Sequence, residues 1–342
     1  MTGSEFSRPI HLCKQIVILD GLTGTGKTMF SPLVSSYERV QNARFEYMFE
    51  YLCISAANNK LSSDASHSLL NLLADTKYYD GVISREVNFR PGDLSSIFKS
   101  SKALKYIKQL FQADGAAAGE RIEKENPILF LVTHQLLSCM QPALNAFGER
   151  LRIIQMVRHP LYLLDHWHSY IDMHGHSPRD FTIWLEHSGN LVPWFAAGLE
   201  EQYVNAQPFD KVIYVIHTLL QTVFQKATDE SLKDTIAFVP FEQFVLSPDG
   251  YVKRIEQLIG ASATAATQKV LSSQKVPRKF INAGPQKNIY KRYGLIKQDK
   301  TVNHADDYQR LLTAARIKSS PEAFSILESC INEYEKIFGL WF

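Results

Sequence analysis

Ile16-Val17-Ile18-Leu19-Asp20 runs directly into Gly21-Leu22-Thr23-Gly24-Thr25-Gly26-Lys27-Thr28, and no other stretch limits the fold so severely. The β-branched run reads as a buried strand, and it breaks into the Gly-x-x-x-x-Gly-Lys-Thr pattern of a phosphate-binding loop. Glycines there let the main chain turn sharply and approach a ligand closely. The amides of Gly24 to Thr28 can then converge on phosphate oxygens at the start of a helix, predicted over Met29 to Tyr37, where the helix dipole also favours an anion. Lys27 adds a mobile positive charge, and the Thr28 hydroxyl can hold a metal or another oxygen. The loop is read as binding a phosphorylated nucleotide.

The rest of the chain alternates short apolar runs with helical patterns. Strands are predicted at Ile128–Val132, Ile153–Val157 and Ile236–Val239, with a further short one at Gly81–Arg85. Helices are predicted at Leu61–Asp75, with Leu69, Leu70, Leu72 and Leu73 on one side, and at Ser96–Gln112, Leu161–Met173 and Asp180–His187. Others are predicted at Phe209–Lys226, Tyr251–Ile259, Ala305–Thr313 and Pro321–Phe338. Ala43–Leu52 has no assignable period, and 86–93 reads as a loop by its Pro91-Gly92. This alternation predicts an α/β fold with a mostly parallel sheet covered on both faces, of the three-layer P-loop kind. Residues 1–10 contain Gly3-Ser4-Glu5-Phe6, which resembles a translated cloning site. Residues 11–342 read as one domain with a helical C-terminal region from about residue 262.

Composition narrows the partners. A net charge of +2 argues against a nucleic-acid binder, and no apolar run approaches the length of a membrane span. Four scattered cysteines, Cys13, Cys53, Cys139 and Cys330, fit reduced thiols in a cytoplasmic protein. Ligands of parallel sheets sit at the carboxyl ends of strands, which directs attention to Thr133, His134, Arg158 and Glu242. A nucleotide kinase needs a second carboxylate at such an end to help hold magnesium, whereas these strands end in His134 and Arg158. Fixed amides, Lys and Arg suffice for a less charged sulfuryl group, so no metal is expected.

Pro127 to Leu137, with Thr133-His134 at a strand end, resembles the Thr-His strand of the P-loop sulfotransferases. Ile153 to Pro160 is similar to that family's Arg-x-Pro segment. Ile236 to Val245 with Ser247-Pro248 resembles its late strand and turn, and Pro277-Arg278-Lys279 with Gly284, Lys287 and Asn288 resembles its basic C-terminal loop. The resemblance spans Ile16 to about Asn288. It implies transfer of a sulfuryl group from 3′-phosphoadenosine 5′-phosphosulfate to the hydroxyl or amine of a small-molecule, lipid or glycan acceptor. It further implies that the loop Gly21, Leu22, Thr23, Gly24, Thr25, Gly26, Lys27 and Thr28 cradles the 5′-phosphosulfate. His134 becomes the general base, with Lys27 assisting at the reacting group. Arg158 binds the 3′-phosphate, helped by Arg278 and Lys279. Three positions depart from the pattern: Leu22 stands where many members have Lys, Val132 where a Lys can precede Thr-His, and His166 where a Ser is usual, with Ser169 three residues on.

Plainer readings stand beside these. His134 can be a core histidine, Arg158 can cap a helix or pair with Asp165, and Arg278-Lys279 can be a solvated pair. His159, His166, His168, His174 and His176 invite a metal, but His166 and His168 point to different sides of a helix. Trp184 to Trp194, with Tyr203, is core or the wall of an acceptor pocket, and Pro193-Trp194-Phe195 suits a lid. Two other functions compete: an ATP- and magnesium-dependent small-molecule kinase, favoured by the complete loop, and a nucleotide-binding module without catalysis, suggested by the departures.

Overall fold

In the computed structural model, which describes residues 4–93, 95–178, 180–284 and 303–342, the chain forms an α/β fold. A five-stranded parallel sheet is flanked by helices. Its strands are β1 (Ile16–Gly21), β2 (Arg44–Phe45), β3 (Leu129–Val132), β4 (Leu151–Val157) and, after an antiparallel hairpin of β5 (Trp184–His187) and β6 (Asn190–Pro193), β7 (Ile236–Pro240). The sheet order is β2-β3-β1-β4-β7. β1 is central and buried at every position, as a strand covered on both faces requires. This explains why its side chains are almost all apolar, and it makes the one exception, Asp20, informative.

Helices α1 (Lys27–Ser35), α2 (Tyr47–Ala57) and α3 (Ser63–Val82) come after the first strands. α4 (Ala103–Gln109), α5 (Ala116–Glu125) and α6 (Gln141–Phe147) lie to either side of β3 in the chain, and α7 (Leu164–Asp172) comes after β4. α1 starts two residues earlier than predicted, because Gly26 takes the N-cap with a φ of 96°. Gly81–Arg85 is not a strand: α3 runs on to Val82, carried by buried Leu70, Ala74, Tyr78 and Val82 at helical spacing. Leu69 and Leu72, expected on one side with Leu70 and Leu73, are 42% and 43% exposed while Leu70 is buried, so the four do not share a face. The predicted helix Ser96–Gln112 breaks into a single turn at Ile97–Lys99 and then α4, with Ser100 extended between them. Asp180–His187 is not helical. Ser188 and Gly189, with φ of 49° and 77°, make the two-residue turn that pairs His187 with Asn190, the geometry that suits the twist of a hairpin.

Further on, the helices Pro208–Ala227 and Pro321–Phe338 agree closely with the periodicity, and His304–Lys318 runs five residues beyond the predicted end at Thr313. Near the start, Asp75 of α3 receives Arg8 at 2.6 Å and the amides of Leu12 and Cys13, fixing the entry to β1. All four cysteines are buried thiols. No helix among the described residues is long and apolar enough to cross a membrane.

The strand register positions the site. Leu19 lies beside Val132, Gly21 beside Met156, Phe45 beside Val132, and Val157 beside Pro240. The residues just beyond each strand therefore emerge along one edge: Glu46, His134, the glycine-rich loop, Arg158 and Glu242.

Candidate functional site

The loop between β1 and α1 is held by close packing that excludes side chains. At Gly21, with a φ of 149°, a Cβ would lie 2.5 Å from the Met156 carbonyl oxygen; at Gly26, with a φ of 96°, it would lie 2.6 Å from the Phe241 ring. Only glycine meets both demands. Thr25 turns its hydroxyl inward to the Leu22 carbonyl at 2.7 Å, and Trp167 Nε1 donates to the Thr23 carbonyl at 2.8 Å. Among the described residues, no acceptor meets the amides of Gly24, Gly26 or Lys27. They are unspent donors at a helix N-terminus, which suits an anion.

Lys27 is buried and donates to the carbonyls of Gly21 and Leu22. Burial lowers its pKa to about 8, against the opposing pull of Asp20 and Glu50. Asp20 itself is a structural carboxylate. It accepts the Thr133 hydroxyl at 2.7 Å and the amides of Leu136 and Leu137 at 3.0 and 3.1 Å. It thus shapes the turn after β3. The Gln135 amide completes the link by donating to the Gly21 carbonyl at 3.0 Å.

That turn presents His134. Its Nδ1 lies 2.9 Å from Glu50 Oε1, and its ring stacks between Tyr47 and Phe45, with centroids at 6.1 and 5.9 Å. The imidazole is 30% exposed, so it is neither sealed in the core nor free to rotate. A carboxylate on Nδ1 fixes the tautomer in which Nε2 carries the lone pair. Glu50, Tyr47 and Phe45 come from the one stretch, Ala43–Leu52, that the sequence left unassigned.

On the other side of the loop, Arg158 Nη1 donates to the Gly24 carbonyl at 2.8 Å, and its Nε lies 3.6 Å from Glu242 Oε1. The guanidinium sits over the Phe241 ring at 4.7 Å. Its acidic partner is therefore Glu242; Asp165 pairs instead with Lys318 at 2.9 Å. Burial raises the pKa of Glu242, while Arg158 and His159 oppose that shift. The Tyr334 hydroxyl also reaches Glu242, at 3.4 Å. His159 meets Glu335 at 3.3 Å, so the helix Pro321–Phe338 closes over the end of β4.

The remaining expected residues are less uniformly placed. His166 lies against Gly24, and burial first, then Arg158 and Lys27, lowers its pKa to about 4. Ser169 turns back to the Asp165 carbonyl, so His166 is the one of the two that borders the loop. Arg278 reaches Met29 Sδ at 3.2 Å on α1, together with the Ile281 carbonyl. Lys279 is exposed, with its ammonium over Phe280 at 5.5 Å, and is not brought to the loop. Lys287 and Asn288 lie outside the described residues. His168 packs against Phe209, apart from His166, and no three metal-ligating side chains gather among the described residues. Trp194 and Phe195 are buried, as core residues are.

No family model and no curated protein sequence matches this chain. Among solved structures, it is similar to the sulfotransferase domain of the olefin synthase of Synechococcus PCC 7002, at 12% identity and a TM-score of 0.44, covering 95% of this chain and 98% of that one. It is also similar to the sulfotransferase STF1 of Mycobacterium tuberculosis H37Rv, at 13% identity and a TM-score of 0.37, covering 76% of this chain and 71% of that one.

Proposed function

We propose that the chain is a sulfotransferase that moves a sulfuryl group from 3′-phosphoadenosine 5′-phosphosulfate to an acceptor hydroxyl or amine. The observation that carries this reading is the Glu50–His134 pair, tied through Gln135 to the carbonyl of Gly21. A base oriented by a carboxylate thus stands beside a loop of unspent amides. The strand-end carboxylates are committed elsewhere: Asp20 to Thr133, Leu136 and Leu137, and Glu242 to Arg158 and Tyr334. That arrangement suits a reaction that relies on amides and cations.

The donor supplies a sulfur already activated by its bond to a phosphate. The amides of Gly24, Gly26 and Lys27 bind the 5′ side, and Lys27 exchanges its carbonyl partners for the oxygens that gain charge as that bond breaks. His134 takes the acceptor proton on Nε2 as the acceptor oxygen or nitrogen attacks sulfur, and Glu50 stabilises the imidazolium that results. Arg158 and His166, which border Gly24, and Arg278, which reaches Met29 of α1, are assigned to the 3′-phosphate in this reading. The competing kinase reading draws on the complete Gly-Lys-Thr loop alone.

Titration calorimetry with adenosine 3′,5′-bisphosphate and with ATP plus magnesium separates the two. Binding of the bisphosphate without metal is expected; metal-dependent ATP binding alone would overturn the proposal. His134→Ala should abolish turnover and leave bisphosphate affinity within about threefold, since a base acting on the acceptor contributes little to nucleotide binding.

A further inference from the structure

One strand outward from His134, a cleft of about 220 Å³ is lined by Asn42, Arg44, Phe45, Glu46, Asn88 and Tyr106, among others. Phe45 belongs both to this cleft and to the stack on His134, so the cleft opens beside the base. Its volume falls below the roughly 300 Å³ at the low end of small-ligand sites, so it suits one end of a small acceptor.

Two carboxylates, Glu46 and Glu86, also line the cleft, but neither comes within hydrogen-bond distance of the Arg44 guanidinium or the Tyr106 hydroxyl. The Arg44 side chain is 13% exposed, and its only ionic partner among the described residues is Glu86 Oε2, 4.0 Å away. The same oxygen is held by Lys77 at 2.5 Å, and Lys77 also takes Glu46 at 3.2 Å. Both carboxylates that line the cleft are thus bridged by one lysine, and the guanidinium has no hydrogen bond to any described residue. The Tyr106 hydroxyl accepts the Asn42 amide at 2.6 Å, and its own proton meets no acceptor among the described residues. A guanidinium that faces the cleft without a protein hydrogen bond has its donors open to a ligand. The fork of arginine matches a carboxylate in shape as well as charge.

Building on the proposed transfer reaction, we propose that this cleft anchors a carboxylate of the acceptor on Arg44 and Tyr106. The acceptor is then a hydroxy or amino acid whose reacting group reaches His134 while its carboxylate sits at the edge strand. Arg44 acts here as a specificity residue and takes no part in the proton transfer.

The test is ligand-observed NMR without any donor, using 4-hydroxyphenylacetate, 6-hydroxyhexanoate and 3-hydroxybutyrate, each beside its methyl ester. At least one acid should bind about tenfold or more tightly than its ester. Arg44→Gln should remove that preference and Tyr106→Phe should reduce it, with the circular-dichroism spectrum and cooperative thermal unfolding retained in both as the check on folding. Acids and esters that bind alike, a series in which no acid binds, or a preference that survives Arg44→Gln would each overturn the inference. Because this arm contains no donor, it is read separately from the transfer reaction. Absence of bisphosphate binding or of sulfuryl transfer, with the acid preference intact, counts against the donor reading and not against the cleft.

Discussion

The ammonium of Lys27 rests on two carbonyls, and burial brings its pKa from 10.5 to about 8. The charged form predominates below that value and is lost as pH rises through it, and an anion prefers the charged form. Bisphosphate affinity should therefore be level near neutrality and fall above pH 8, approaching about tenfold per unit. Calorimetry across that range checks this; a flat profile would mean that Lys27 does not meet the ligand. His166, held neutral by its lowered pKa of about 4, should add no limb near neutrality. At this scale the sequence spoke clearly wherever a residue type has few uses, as in the glycines of the loop and Lys27. It was silent on Glu50, because a carboxylate on an aromatic, aperiodic stretch looks like any surface acid until the fold turns it toward His134.

Strand ends are elements that carry charge into the interior, and the end of β4 is the plainest case. Arg158 and Glu242 are paired across the β4–β7 neighbourhood, with Glu242 fully buried. Removing one partner leaves the other uncompensated, so Arg158→Ala should cost about 3 kcal/mol of stability. Pairing it with Glu242→Gln should recover much of that, and chemical denaturation of the two single variants and the double variant measures the coupling. Additive losses would show that the pair is not a unit. Among elements, the long buried strands were legible because covered parallel strands are continuous apolar runs. β2 was not: two residues, Arg44 and Phe45, hold no period. β5 was misread as helix because its partner β6 and the Ser188-Gly189 turn define it, and pairing is not a local property.

Across the whole molecule, the site is assembled from β1, β3, β4 and β7 at one edge, yet its outer support comes from far along the chain. Tyr334 reaches Glu242 across 92 residues of sequence, and Glu335 reaches His159 across 176. The parallel topology was readable from the alternation of elements. The closure by Pro321–Phe338 was not, since its apolar stripe predicts a buried face without saying against what. The closure has a consequence for how the protein comes into being. On the ribosome, β1, its loop and β3 are exposed to the cell long before the residues that brace β4 exist. Until those later residues are made, Arg158 and then Glu242 must wait as open, hydrated groups. The end of β4 in a growing chain is therefore braced only after Tyr334 and Glu335 have emerged, and a partly made chain holds the proposed site unfinished.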